Sequence, residues 1–313
     1  MTNIQRPDAE IPPSGAAPVS DAEAITTKER SQLQLVMLRF MRHRLAVGSV
    51  VLLLLIIAFA FLGPVLWEYD HRIHRDVPSS QPPSLAHPFG TTSPGQDMMG
   101  LVMRGTQQSL KVAGLVGLIV AVTAALWGAI AGLLGGWVDS LMMRAADVIL
   151  VIPPLALVAA VAGNVRGGTT WLPIALIIGF FGWPLYARVI RGVVLSLREQ
   201  EFIEAARAMG ASDARIVLRH LLPNVTGPLI VTATVVMAIA ILAEAGLSFL
   251  GLGIQPPDTS LGQQVFNALT AMRTRPWLFY PPGIMVLLIC LTINFIGDGL
   301  RDALDPRQTM VRR

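Results

Sequence analysis

Only 14% of the 313 residues are charged, against about a quarter in an ordinary soluble domain. Cys290 is the one cysteine, so neither an intrachain disulfide nor a cysteine-only metal cage can form. Lysine is nearly missing: of 24 basic residues, two are lysines, Lys28 and Lys111. Lys28 follows Thr27 and Lys111 follows Leu110, so there is no Gly-Lys-Ser/Thr phosphate cradle. If ATP drives this protein, another chain binds it. The five histidines, at 43, 71, 74, 87 and 220, never fall at HExxH spacing, and Gly246-Leu-Ser-Phe-Leu250 lacks the second glycine of a serine nucleophile elbow. What is abundant is apolar: 53% of the chain, with mean hydropathy +0.59. A polytopic, all-α membrane protein remains.

The first 31 residues are polar, rich in Pro, Ala and Ser and without apolar period, which predicts a disordered tail. Leu33 to Arg44 mixes Leu35, Leu38, Phe40 and Met41 with Arg39, Arg42 and Arg44. That pattern fits a basic amphipathic helix at the membrane surface or the start of the first span. Spans are predicted at 45–66, 109–136, 141–162, 171–190, 227–252 and 282–300. The first holds 22 residues, about 33 Å of helix, enough for a ~30 Å hydrocarbon core.

Arginine density predicts orientation. With the N-terminus cytoplasmic, inside flanks at 30–44, 136–146, 188–225 and 300–313 hold 15 arginines; outside loops at 67–108, 164–170 and 253–281, of equal total length, hold six. The positive-inside rule then places both termini in the cytoplasm. Pro153-Pro154 and Pro184 interrupt the third and fourth spans and should kink them. Gly128, Gly132 and Gly136 recur every four residues, a small-residue face. Helix packing or a place on a transport path would each account for these features.

The cytoplasmic loop 196–223 is the least membrane-like stretch. Ser196 and Glu199 have capping-box spacing, which predicts a helix starting there with Phe202, Ala205, Ala206 and Met209 on one face. Gly210 should end it in the left-handed region, Ser212 should cap a second helix, and Pro223 should close that one. Glu201, Glu204, Arg207 and Arg215 are expected to point outward. Two tight helices between spans suggest docking on something.

Glu204-Ala-Ala206, Gly210 and Leu222-Pro223 resemble the EAA loop of ABC-importer permeases, with His220 where the family has Ile. His-x-Leu-Pro is similar to the peptide-importer branch. Pro88-Phe-Gly-Thr91, Gly95-Gln-Asp97, Gly182-Trp-Pro-Leu-Tyr-Ala-Arg188, Leu242-Ala-Glu-Ala-Gly-Leu-Ser-Phe-Leu-Gly251 and Gly297-Asp-Gly-Leu-Arg-Asp-Ala-Leu-Asp-Pro306 fit in order. Over about 39–307 the chain resembles the C-type permease subunit of dipeptide/oligopeptide importers. That resemblance implies a type I importer fold with six transmembrane helices in the cell membrane. Its parts would be a tail 1–31, an amphipathic helix and first span 32–66, an extracytoplasmic loop 67–105, a five-helix transmembrane domain 106–302 and a cytoplasmic tail 303–313.

The implied partners are a homologous permease sharing the path, two ATP-binding subunits, an extracytoplasmic substrate-binding protein and membrane lipid, with no nucleic acid. No cofactor belongs to this chain; ATP and Mg would sit in the ATPase subunits. Glu201, Glu204, Ala205, Ala206, Arg207, Met209 and Gly210 would form the ATPase-coupling interface. Alternative cargoes are a nickel complex or modified peptide.

Glu244 lies inside the fifth span and is read as a protonated or hydrogen-bonded residue of the bundle; a proton relay is the sharper alternative. Asp147 is expected near the inner interface beside Arg144. Asn294 and Asp298 face a choice between a helix-end hydrogen bond and an ATPase contact, and Pro153 and Pro184 are structural or pathway candidates. A proton-coupled transporter would need an acid matching Glu244 in the first half, and none is seen. An intramembrane enzyme would need a nucleophile–base or metal constellation within the spans, and none of the five histidines lies in one. A short amphipathic helix is predicted on the outer face around Leu261, Val265, Phe266, Leu269 and Met272.

Overall fold

The computed structural model describes residues 32–74, 76–164 and 170–304. The predicted tail 1–31 and residues 305–313 of the predicted C-terminal tail lie outside them. The described chain is helical, with two isolated β-bridges, Ile73–Gln96 and Thr91–Asp97.

Each boundary has a local cause. The basic amphipathic helix α1 spans Gln32–Arg42. His43 interrupts it and caps α2, Arg44–Phe61, its Nδ1 accepting the Ala46 N–H at 3.2 Å. Gly63-Pro64 opens a single turn, α3, Gly63–Leu66. The next helix, α4, Met98–Leu134, begins well before the predicted Ser109, because the Asp97 carboxylate accepts the Gly100 N–H at 2.8 Å and starts it there. Gly135 and Gly136, with φ of 63° and 55°, turn the chain into α5, Gly136–Val151.

The predicted third span is divided. Pro153 and Pro154 offer no N–H, so the helix stops at Val151 and resumes as α6, Pro154–Asn164. Next come α7, Trp171–Leu197, α8, Glu201–Ala208, and α9, Asp213–Phe249, which contains a π-helical turn at Ile216–Leu221. The predicted outer helix is α10, Leu261–Ala268, and the last is α11, Tyr280–Leu304. Of these, α2, α4, α7, α9 and the segment containing α11 are long and apolar enough to cross a membrane. Of the six expected spans, five are continuous helices among the described residues, and the third is broken at Pro153-Pro154, where a kink is expected.

The core forms where α4 lies against α7. A Cβ on Gly128 would stand 2.6 Å from the Ala187 carbonyl oxygen, and one on Gly132 2.8 Å from a Val194 methyl. Only glycine permits that approach. Gly136 does not continue this face, since it belongs to the turn. Contacts run in register from Val120 with Gly182 to Gly132 with Val194, so α4 and α7 are parallel. Parallel neighbours require a return passage between them, and α5 with α6 supplies it.

The ends of the helices sort into two groups. At one end Gly299 packs on Ala46 and Gly227 on Leu304, and the Arg198 guanidinium donates to the Gly132 carbonyl at 3.2 Å. The start of α2, the end of α11 and the 196–223 segment therefore share a side. At the other end the Arg104 Nε donates to the Asp258 carboxylate at 2.9 Å and the Trp277 indole to the Thr91 carbonyl at 3.3 Å. Those bonds gather the 67–97 and 253–279 segments together.

Candidate functional site

The 196–223 block is built differently from the capping expectation. Helix α7 continues through Leu197, and Ser196 Oγ donates to the Val193 carbonyl at 2.7 Å instead of capping. Glu199 accepts from Arg198 Nε at 2.8 Å. Val194 is buried near the end of α7, and its packing carries that helix past the Ser196 signal. Extended backbone at Gln200 (ψ 145°) then starts α8.

The end of α8 does match expectation. Gly210 sits at φ 80°, the Gly210 N–H reaches the Arg207 carbonyl at 2.9 Å, and the Ala211 N–H reaches that of Ala206 at 3.0 Å. Ser212 Oγ accepts the Arg215 N–H at 3.4 Å and caps the next helix. Pro223, however, does not close that helix. In the π turn the Leu222 N–H reaches back to Val217, and the shifted register carries the helix past a residue with no N–H to give. The Asn224 side-chain amide donates to the His220 carbonyl at 2.7 Å, so α9 runs on as one helix.

The faces of α8 divide sharply. Ile203 is fully buried and Ala206 nearly so, in one cluster with Ile216 and Leu221. Phe202, Ala205 and Met209 are exposed, Met209 at 81%, beside exposed Glu201, Glu204 and Arg207. The predicted apolar face is therefore corrected: Ala206 turns inward with Ile203, while Phe202, Ala205 and Met209 form an uncovered apolar strip among charges. Ile203 had not been singled out, although Ile203 and Ala206 stand at helical i,i+3 spacing. Arg215 is exposed, as expected.

Two guanidinium groups tie this block to the bundle. Arg198 holds the end of α4, and Arg191 donates through Nε and Nη2 to the Asp139 carboxylate on α5, each at 2.5 Å. Just over two turns further along α5, Asp147 pairs with Arg188, because α7 runs antiparallel to α5 and brings Arg188 across. Pro184 is buried at the middle of α7 and Pro153 is exposed at the α5–α6 break.

Glu244 is fully buried. One carboxylate oxygen accepts from Ser248 Oγ at 2.8 Å, and that hydroxyl lies 3.3 Å from Ser260 Oγ. The Asn294 side chain donates to the Cys290 carbonyl at 2.9 Å within its own helix, and Asp298 is exposed.

The end opposite α8 carries a polar platform that periodicity alone did not reveal. Buried Asp97 accepts from the Trp67 indole at 3.0 Å and faces His87 Nδ1 at 2.8 Å, besides capping α4. Its sequence signal is an aspartate directly before the short apolar stretch Met98–Met103, which the polar residues 104–109 separate from the long apolar run. Arg104 and Gln108 both donate to Asp258. Burial opposes charge on Asp258, but the bonds from Arg104 and Gln108 outweigh it, and its pKa lies below the usual carboxylate value. Burial, then the Arg104 charge, holds the His71 pKa below the ordinary imidazole value. His71 and Asp258 line a cavity of about 290 Å³ at this end with Gln96, Gln263 and Gln264.

Long apolar helices able to cross a membrane, with a short helix between two of them, define a multi-pass membrane protein. The chain belongs to the family described as "Binding-protein-dependent transport system inner membrane component", whose profile matches residues 124–310. The profile "N-terminal TM domain of oligopeptide transport permease C" matches residues 31–83. The oligopeptide transport system permease protein OppC of Mycobacterium tuberculosis (strain H37Rv) is 42% identical over 287 residues, covering 92% of this chain and 99% of that one. OppC of Bacillus subtilis (strain 168) is 36% identical over 296 residues, covering 93% and 95%. A putative peptide transport system permease of Brucella abortus is 40% identical, covering 90% and 94%. Among solved structures, a chain of the inward-facing methionine ABC transporter MetNI superposes with a TM-score of 0.54 at 22% identity, covering 66% of this chain and 98% of that one. That likeness concerns the fold. The chain is a multi-pass membrane component of a binding-protein-dependent transport system.

Proposed function

We propose that this chain is the permease subunit of an ATP-driven peptide importer. It forms the path with a homologous permease, receives cargo from an extracytoplasmic binding protein and is driven by two ATPase subunits through α8. The observation that carries this reading is the uncovered strip Phe202–Ala205–Met209, flanked by Glu201, Glu204 and Arg207. Small and flexible apolar side chains allow close approach, and a carboxylate beside them suits an Arg or Lys of the partner. Ile203 and Ala206 pack the strip's back against α9 and Gly210 sets the turn between the two helices, so a push on α8 would move the bundle as a body. ATP and Mg belong to the partner subunits in this reading, and Glu244 is a hydrogen-bonded structural group. Peptide cargo is supported by the oligopeptide permeases to which the chain is similar.

The test is purification of the tagged chain from its native membrane, with the co-purifying subunits identified and uptake of a labelled tripeptide measured after reconstitution. Two ATPase chains, a second permease and ATP-dependent uptake are expected. A chain that purifies alone and hydrolyses ATP itself would refute the proposal.

A further inference from the structure

Charge inside the spans offers a site beyond the α8 interface. Helix α7 has 27 residues, about 40 Å of helix, and Pro184 is its midpoint. Arg188 lies one turn, about 6 Å, beyond that midpoint and nine residues, about 14 Å, before the last residue of α7, so it belongs to the span and not to the inner flank in which the arginine count placed it. Helical side chains lean toward their helix N-terminus, so Arg188 leans toward the membrane centre and away from the nearer interface. Its partner Asp147 comes from α5, and both side chains are 44% exposed in this chain. Lipid is not an acceptable neighbour for half-exposed charges at this depth.

A second, independent feature lies on the same segment. Five residues beyond Asp147, the helix breaks at Ile152-Pro153, and residues 151–154 are exposed. Pro154 has no N–H, so the Leu150 carbonyl loses its helical donor. Non-helical backbone at membrane depth is tolerated only against protein or water. Of the sixteen residues of α5, only Ala146 is buried. The exposed surface of α5 therefore carries the ion pair and ends at the helix break. A protein interface that sealed the pair dry would face its full desolvation cost; a wet path would not.

We propose that Asp147 and Arg188 line the water-filled translocation path and form a charge-pair site for zwitterionic cargo. The pair parts as cargo passes, Asp147 receiving an ammonium group and Arg188 a carboxylate. This rests on the importer reading above. The pair Asp139–Arg191, nearer the helix ends, is less exposed, at 14% and 31%, and keeps α5 attached to α7 meanwhile.

The test uses the whole complex in nanodiscs, with Cys290→Ser as background. Asp147→Cys is probed with anionic and cationic methanethiosulfonates, beside Leu55→Cys, an exposed residue of α2, as a lipid-facing control. Position 147 should react and position 55 should not. The anionic reagent should be several-fold faster, because Arg188 is then unpaired. Trialanine supplied with the binding protein should slow the reaction at least five-fold. In uptake assays Asp147→Asn and Arg188→Gln should each lose about ten-fold at low trialanine while keeping their ATPase subunits.

An Asp147→Cys variant whose thiol is unreactive, or crosslinks to the second permease, would overturn the path assignment. Reaction without protection by trialanine, or normal uptake in both neutral variants, would overturn the cargo role. Failure of the importer reading looks different, because wild-type complex would then take up no peptide at all.

Discussion

Gly210 has nothing within 4 Å of where a Cβ would stand, yet its φ is 80°. The obstacle to substitution there is conformational, about 1–2 kcal/mol for an L-residue and felt most by a β-branched one. Gly210→Val should therefore displace α9 relative to α8 and damage uptake most. Glu204→Ala removes one charged contact, about 1.5–3 kcal/mol if it is buried against the ATPase. Exposed Arg215 should matter least. Uptake and ATPase co-purification measured on the three variants should both rank in that order; wild-type values for the Gly210 and Glu204 variants would show that α8 is not the coupling element. His71 makes a second prediction at this scale. Its folded pKa lies below the ordinary 6.5, so the unfolded chain binds more protons between the two values. Stability is then full above about pH 6.5 and falls as pH drops through the folded pKa. Thermal scans of the purified complex should show a lower Tm at pH 5 than at pH 7.5, and His71→Gln should shrink that difference.

Between elements, the decisive distances are backbone ones. Gly128 meets the Ala187 carbonyl and the Arg191 nitrogen, neither of which can swing aside. Gly128→Val should force α4 from α7 and cost about 1–3 kcal/mol as overpacking, seen as a lower Tm and less complex recovered. Gly114→Val, with nothing nearby, should be tolerated. How much of this was legible in the sequence depends on range. Gly210, Ser212 and the helix around Leu261 could be read because their causes are local: a left-handed cap, a serine oxygen, an apolar period. The start of α4 was missed because its apolar run was followed inward from Ser109, although Asp97 carried a local capping signal. Ser196 misled because packing of Val194 outweighs a capping box, and Pro223 because a π turn can absorb a missing N–H. Arg104–Asp258 and Asp147–Arg188 join residues far apart in sequence, and no local pattern encodes which arginine a given aspartate meets.

For the whole molecule, the fold and the arginines make one joint statement. The contacts Gly299–Ala46, Gly227–Leu304 and Arg198–Gly132 gather α8 and both ends of the described chain on one side. Arg275 bonds Ser80 at 2.9 Å on the other side, beside the segment that holds Asp258. Geometry alone leaves open which side is cytoplasmic, and the arginine excess argues for the α8 side. ATPase coupling through α8 requires the same choice, because ATP is cytoplasmic, so an error in orientation would end the functional reading too. With Cys290 replaced, Ser79→Cys and Ser212→Cys should be probed in intact cells with an impermeant thiol reagent. Position 79 should label, and position 212 should label only after the cells are opened. Both residues lie in turns outside the long helices, so a missing signal at 79 would not be excused by burial in the membrane. The reverse pattern would place α8 outside, where no ATPase could reach it, and both the arginine argument and the importer proposal would fall together.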